Sequence, residues 1–86
     1  MPTISRFHGL VITMYFKDHN PPHFHVRSGG REAKVRIEPI EVMEGDLDRR
    51  RFSLVKRWAE LHQIELKENW RRAGDRETLR SIEPLR

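Results

Sequence analysis

The chain has 86 residues and no cysteine, and its 17 lysines and arginines against 13 aspartates and glutamates give a net charge of +4. That length holds one domain around one core, and the lack of thiols excludes disulfides, thiolate nucleophiles and cysteine-ligated zinc. No apolar run approaches the ~20 residues of a membrane-spanning helix, and residues 1–6 lack the apolar stretch of a signal peptide, so the cytoplasm is the expected compartment.

A short strand is expected over Ile4–Phe7, with Gly9 at the turn that follows. Leu10 to Phe16 is rich in β-branched and aromatic residues and reads as a strand. Its side chains alternate, with Leu10, Ile12, Met14 and Phe16 on one face and Val11, Thr13 and Tyr15 on the other. Lys17 to Pro22 is a loop, because Pro21 and Pro22 lack backbone donors and push Asn20 out of helical space. The chain then runs from His23 to Arg27 and returns as Arg31 to Ile37.

With Gly29 and Gly30 as a two-residue turn, both at positive φ, the pairing is set. Arg27 stands opposite Glu32, Val26 opposite Ala33, His25 opposite Lys34, Phe24 opposite Val35, and His23 opposite Arg36. Phe24, Val26, Ala33 and Val35 then form the core face. His23, His25, Arg27, Lys34 and Arg36 share the other face, with Glu32 as its one acid.

Pro39 ends that run, and Glu41 to Glu44 supplies a further short strand. Asp46 or Asp48 caps a helix, which the 3.6-residue period carries from about 47 to 72. Phe52, Leu54, Val55, Trp58, Ala59, Leu61, Leu66 and Trp70 fill one half of its wheel. His62 lies near the centre of that half, where a neutral, buried imidazole bonded to a backbone group or to Asn69 is expected. Gly74 closes the helix, and the tail 77–86 carries Leu79, Ile82 and Leu85 as anchors. The expected fold class is therefore α+β: an antiparallel sheet of three to five strands over 4–45, with one long helix packed on one face, in a single domain 1–86. A chain this small has a thin stability margin, which dense packing or association, as a homodimer or with a second chain, would widen.

The chemistry concentrates in Asp18-His19-Asn20-Pro21-Pro22-His23-Phe24-His25. Asp18, His19, His23 and His25 offer a histidine/carboxylate set for a divalent metal, although Lys34 and Arg36 across the hairpin would repel the ion. Arg27, Lys34 and Arg36 suit the phosphates of RNA or another polyanion. With a phosphodiester held there, His23 and His25 are placed to serve as base and acid of a metal-independent ribonuclease, since imidazole titrates near neutrality. A solvated polar face bracing the proline loop is the plain alternative. None of these readings calls for an organic cofactor. Arg49-Arg50-Arg51, at a helix start where positive charge is unfavourable, is a weaker pointer to an anionic partner.

Pro2 to Phe7, Met14-Tyr15-Phe16, Asp18-His19, Pro21-Pro22-His23-Phe24-His25-Val26, Gly29-Gly30, the helical Trp58, His62, Asn69 and Trp70, and Ile82-Glu83-Pro84-Leu85 run through nearly the whole chain. Together they resemble the bacterial family called domain of unknown function 4160, and the Asp-His-x-Pro-Pro-His-Phe-His stretch is the specific part of the likeness. The resemblance implies a short stand-alone bacterial protein, often encoded beside a second small protein in a pair resembling a toxin–antitoxin module. That second protein is the partner it implies. The family has no established activity, so no catalytic residue carries over.

Overall fold

The structure, a computed structural model, describes residues 2–86. Five strands, β1 (Thr3–Phe7), β2 (Leu10–Thr13), β3 (His23–Ser28), β4 (Arg31–Arg36) and β5 (Val42–Gly45), form one antiparallel sheet in chain order. Two helices follow, α1 (Arg49–Leu61) and α2 (Gln63–Gly74).

The β3–β4 register is the one the Gly-Gly turn dictates, with His23 opposite Arg36, His25 opposite Lys34 and Arg27 opposite Glu32. Only Gly29 takes positive φ, at 61°, so the turn does not need Gly30 in that region as the sequence suggested. Gly45, at φ 82°, is the glycine that the sheet requires. A Cβ there would stand 2.2 Å from the Glu32 carbonyl oxygen and 2.8 Å from Ala33 Cα, so β5 approaches β4 where no side chain fits.

Ile12, Phe24, Val26 and Val35 on the inner face of the sheet are fully buried, along with Val55, Trp58 and Ala59 of α1. The Trp58 ring lies 5.3 Å from Phe7 and 5.7 Å from Phe24, tying α1 to two strands. The C-terminal tail completes this core. Trp58 Nε1 donates to the Glu83 carbonyl at 2.9 Å, and the Ile82 N–H donates to the Ile4 carbonyl at 2.8 Å. Buried Asn69 pairs with both backbone groups of Arg80, at 2.8 and 3.0 Å.

Two expectations are corrected here. The single helix over 47–72 is two helices, broken at His62, whose φ of −121° and ψ of 26° leave helical space. No glycine or proline marks the break. The bend turns the outer side of the corner to solvent, so Leu61 and Ile64 are 68% and 85% exposed although the wheel placed Leu61 inward. Phe16 also leaves the core face, because β2 stops at Thr13 and the chain turns before the alternation reaches it. The bend carries α2 to the rim of the sheet. There Gln63 Nε2 donates to the Ile37 carbonyl at 2.7 Å, and Lys17 N–H donates to the Ala73 carbonyl at 3.2 Å.

Candidate metal centre

The alternation that buries Phe24 and Val26 sends His23 and His25 to the opposite face of β3. They are not solvated there: His23 is 3% exposed and His25 7%. The chain leaving β2 folds back over this end of the sheet. Tyr15, which shares a face with Thr13, sets its ring edge-on to His25 at 4.3 Å between centroids. From the other side Trp70 of α2 lies 5.3 Å from the His23 ring.

Between the two imidazoles sits Asp18. Its Oδ2 is 3.0 Å from His23 Nε2 and 3.1 Å from His25 Nε2. The three candidate ligand atoms lie within 4.8 Å of one another. Its Oδ1 accepts the His19 backbone N–H at 2.8 Å, which fixes the carboxylate. The sequence proposed His19 as a fourth ligand. Its ring is outside this group, its residue is exposed, and its contribution comes from the backbone.

Each imidazole is held from behind. His23 Nδ1 lies 2.8 Å from the Pro21 carbonyl. A carbonyl oxygen only accepts, so Nδ1 carries the proton, and Nε2 of the neutral ring presents a lone pair. That nitrogen is fully buried and, despite its 3.0 Å approach to Asp18, lacks hydrogen-bond geometry to any partner among the described residues. The two atoms are close but not aligned as donor and acceptor. His25 stands between two carboxylates, with Nδ1 3.3 Å from Glu32 Oε1 and Nε2 3.1 Å from Asp18 Oδ2. A carbonyl or carboxylate behind Nδ1, with Nε2 left for the ion, is how histidine ligands of metals are oriented.

Burial works to raise the Asp18 carboxyl, but the hydrogen bond from His25, the His19 N–H and the neighbouring imidazoles outweigh it and hold the group below its ordinary range. The anticipated repulsion from Lys34 and Arg36 is offset locally. Lys34 Nζ pairs with Glu44 at 3.2 Å, and Arg36 pairs with Glu41 at 3.1 Å. Glu32 is therefore not the one acid facing these cations, because the run into β5 and the Asp18 loop add three more. Arg27 is exposed and has no ion pair among the described residues. A groove of about 300 Å³ opens beside the centre, walled by His25, Glu32, Lys34 and Glu44.

His62 stands apart from this group. At the α1–α2 junction its ring lies 5.8 Å from Trp58, and its Nδ1 pairs with Glu65 at 2.6 Å. It is half-buried and does not meet Asn69, which the tail occupies. Trp58 is a core residue, as the helical pattern suggested, whereas Trp70 is a wall of the histidine cluster.

The sequence did not assign a role to Glu32, Tyr15 or the Pro21 carbonyl. Period-two alternation through β2 and β3 places Tyr15 and the histidines on one face, and the turn register places Glu32 beside them. A family model described as Domain of unknown function (DUF4160) matches residues 9–71, which include every residue of the cluster. Neither the curated proteins nor the solved structures hold a match to the chain. Among the described residues, no helix is long and apolar enough to cross a membrane.

Proposed function

The chain belongs to the domain of unknown function 4160 family, a membership that brings no activity with it, and we propose that it works as a divalent-metal-binding domain through Asp18, His23 and His25. The observation that carries this is the buried, unpartnered His23 Nε2, turned beside a carboxylate oxygen and a second imidazole nitrogen. A buried polar atom without a partner is unfavourable by about 1–3 kcal/mol, and an ion satisfies all three ligand atoms together. Two imidazoles and one carboxylate, without sulfur, suit first-row ions such as Zn²⁺, Fe²⁺, Co²⁺ or Ni²⁺. Three protein ligands leave open positions, at which a metal polarises a bound oxygen ligand.

A ribonuclease using the histidines as free acid and base fits less well. Both rings are buried and crowd one carboxylate, so neither meets a substrate directly. The test is metal content. Untagged protein dialysed against a trace of mixed divalent ions should retain about one equivalent, and His23→Ala and His25→Ala should retain none. Equal retention by the variants would defeat the proposal.

A second reading concerns the partner. The adjacent Leu61 and Ile64, 68% and 85% exposed at the helix corner, favour a protein contact outside the metal face. A small protein encoded next door, in a toxin–antitoxin-like pair, fits that surface. Co-expression of the two should give a complex that Leu61→Asp with Ile64→Asp disrupts, and an undisturbed complex would place the contact elsewhere.

A further inference from the structure

Three cations surround the two histidines on the outer face of the sheet. Lys34 is directly across from His25 and Arg36 directly across from His23, while Arg27 follows His25 by two positions on the same face. Four carboxylates meet them: Asp18 between the imidazoles, Glu32 behind His25, Glu44 on Lys34 and Glu41 on Arg36. With neutral imidazoles this patch carries one net negative charge, which disfavours an anion. A divalent ion on Asp18, His23 and His25 makes it one net positive charge.

Resting on the metal reading above, we propose that the metal-loaded patch binds a phosphoryl oxyanion and that the metal-free protein does not. The anion takes an open position on the ion and is met by Lys34. Residues directly opposite on neighbouring antiparallel strands have Cα atoms about 5 Å apart, so the four-carbon stem of Lys34 spans from its strand to a ligand on the ion beside His25. Its present partner is easily exchanged, because Glu44 is 71% exposed and such surface pairs are weak. Arg27, without an ion pair among the described residues, adds attraction along the same face. An ion, an ammonium and a guanidinium together match the several oxygens and the double charge of phosphate better than a single carboxylate. The groove beside His25, about 300 Å³, is walled by Lys34 but also by the acids Glu32 and Glu44, so it admits an oxyanion only once the ion has reversed the local charge.

Co²⁺ serves as the probe ion, because its visible absorption changes with its ligands. The full chain is loaded with Co²⁺ and titrated with inorganic phosphate at fixed ionic strength, and the metal-free chain is titrated in a calorimeter. A saturable change in the cobalt band is expected, with affinity about tenfold weaker in Lys34→Met and recovered in Lys34→Arg, and no heat from the metal-free chain. A second arm uses a dinucleoside monophosphate. Binding by it as well as by phosphate points to a nucleic-acid backbone as the source, and binding by phosphate alone points to a free phosphate. If Co²⁺ saturates the site while phosphate leaves the band unchanged, this proposal fails and the metal reading survives. Equal phosphate binding with and without metal also overturns it. A chain that takes up no Co²⁺ overturns both.

Discussion

Asp18→Asn changes the charge between the two histidines with little change of shape, and its effect is measurable without any metal. In the chelated wild type, Asp18 accepts from His25 Nε2 at 3.1 Å and from the His19 N–H at 2.8 Å. A hydrogen bond to a charged group contributes about 1.5–3 kcal/mol. The amide keeps its oxygen for the His19 N–H and sets its NH₂ against the donating His25 Nε2, so the charge-assisted bond is lost and a loss of about 2 kcal/mol is expected at pH 7. For a domain of this size, 1 kcal/mol moves the melting temperature by about 4–8 °C, which makes the drop roughly 8–16 °C. The pH dependence carries the sign. The carboxyl is held below its ordinary range in the folded state, so its contribution is complete above the unfolded value of about 3.9 and fades as pH falls through the lower folded value. Thermal melts followed by circular dichroism in chelator should show a large gap between wild type and variant at pH 7, closing toward pH 2. A variant as stable as wild type at pH 7, or a gap that widens in acid, would refute the assigned hydrogen bonds.

Gly45→Ala should lose at least about 3 kcal/mol, since its Cβ meets backbone atoms that cannot yield and positive φ is unfavourable for alanine; urea titration reads the loss, and a near-neutral result would mean that β5 does not pack as described. Glu32→Gln should weaken metal binding by about 10–100-fold while leaving the melting temperature of the chelated protein within a few degrees, as measured by competition with a coloured chelator. Asn69→Ala leaves the Arg80 N–H and carbonyl unpaired, so about 2 kcal/mol should be lost, with faster amide exchange confined at first to the tail around Ile82.

Much of this arrangement was readable from residue types because it rests on local rules. Gly29-Gly30 between two alternating runs fixes the hairpin register, and the register in turn sets His23 and His25 on one face and Phe24 and Val26 on the other. What could not be read depends on contacts between segments distant in the chain. The burial of the histidines comes from Tyr15 in the loop after β2 and from Trp70, which reaches them only because the helix breaks at His62. That break has no glycine or proline to announce it and is set by where Gln63 and Ala73 find backbone partners at the sheet rim. Glu41 and Glu44 were in view, but their pairing with Arg36 and Lys34 required the β4–β5 contact, which a register shift between Lys34 and Val35 obscures. Asp18 and His19 looked equivalent as ligands. The turn distinguishes them, bringing one side chain inward and using only the backbone of the other.

The most direct measurement is a Zn²⁺ titration followed through the ring nitrogens of the five histidines by NMR. His23 should change at Nε2 alone, with Nδ1 remaining protonated against Pro21, while His25 should give up its Nε2 donation to Asp18 for the ion and carry its proton on Nδ1, toward Glu32; His8, His19 and His62 stay as they were. Rings of His23 and His25 that do not respond to stoichiometric metal, or a response centred on His19 or His62, would contradict the metal centre.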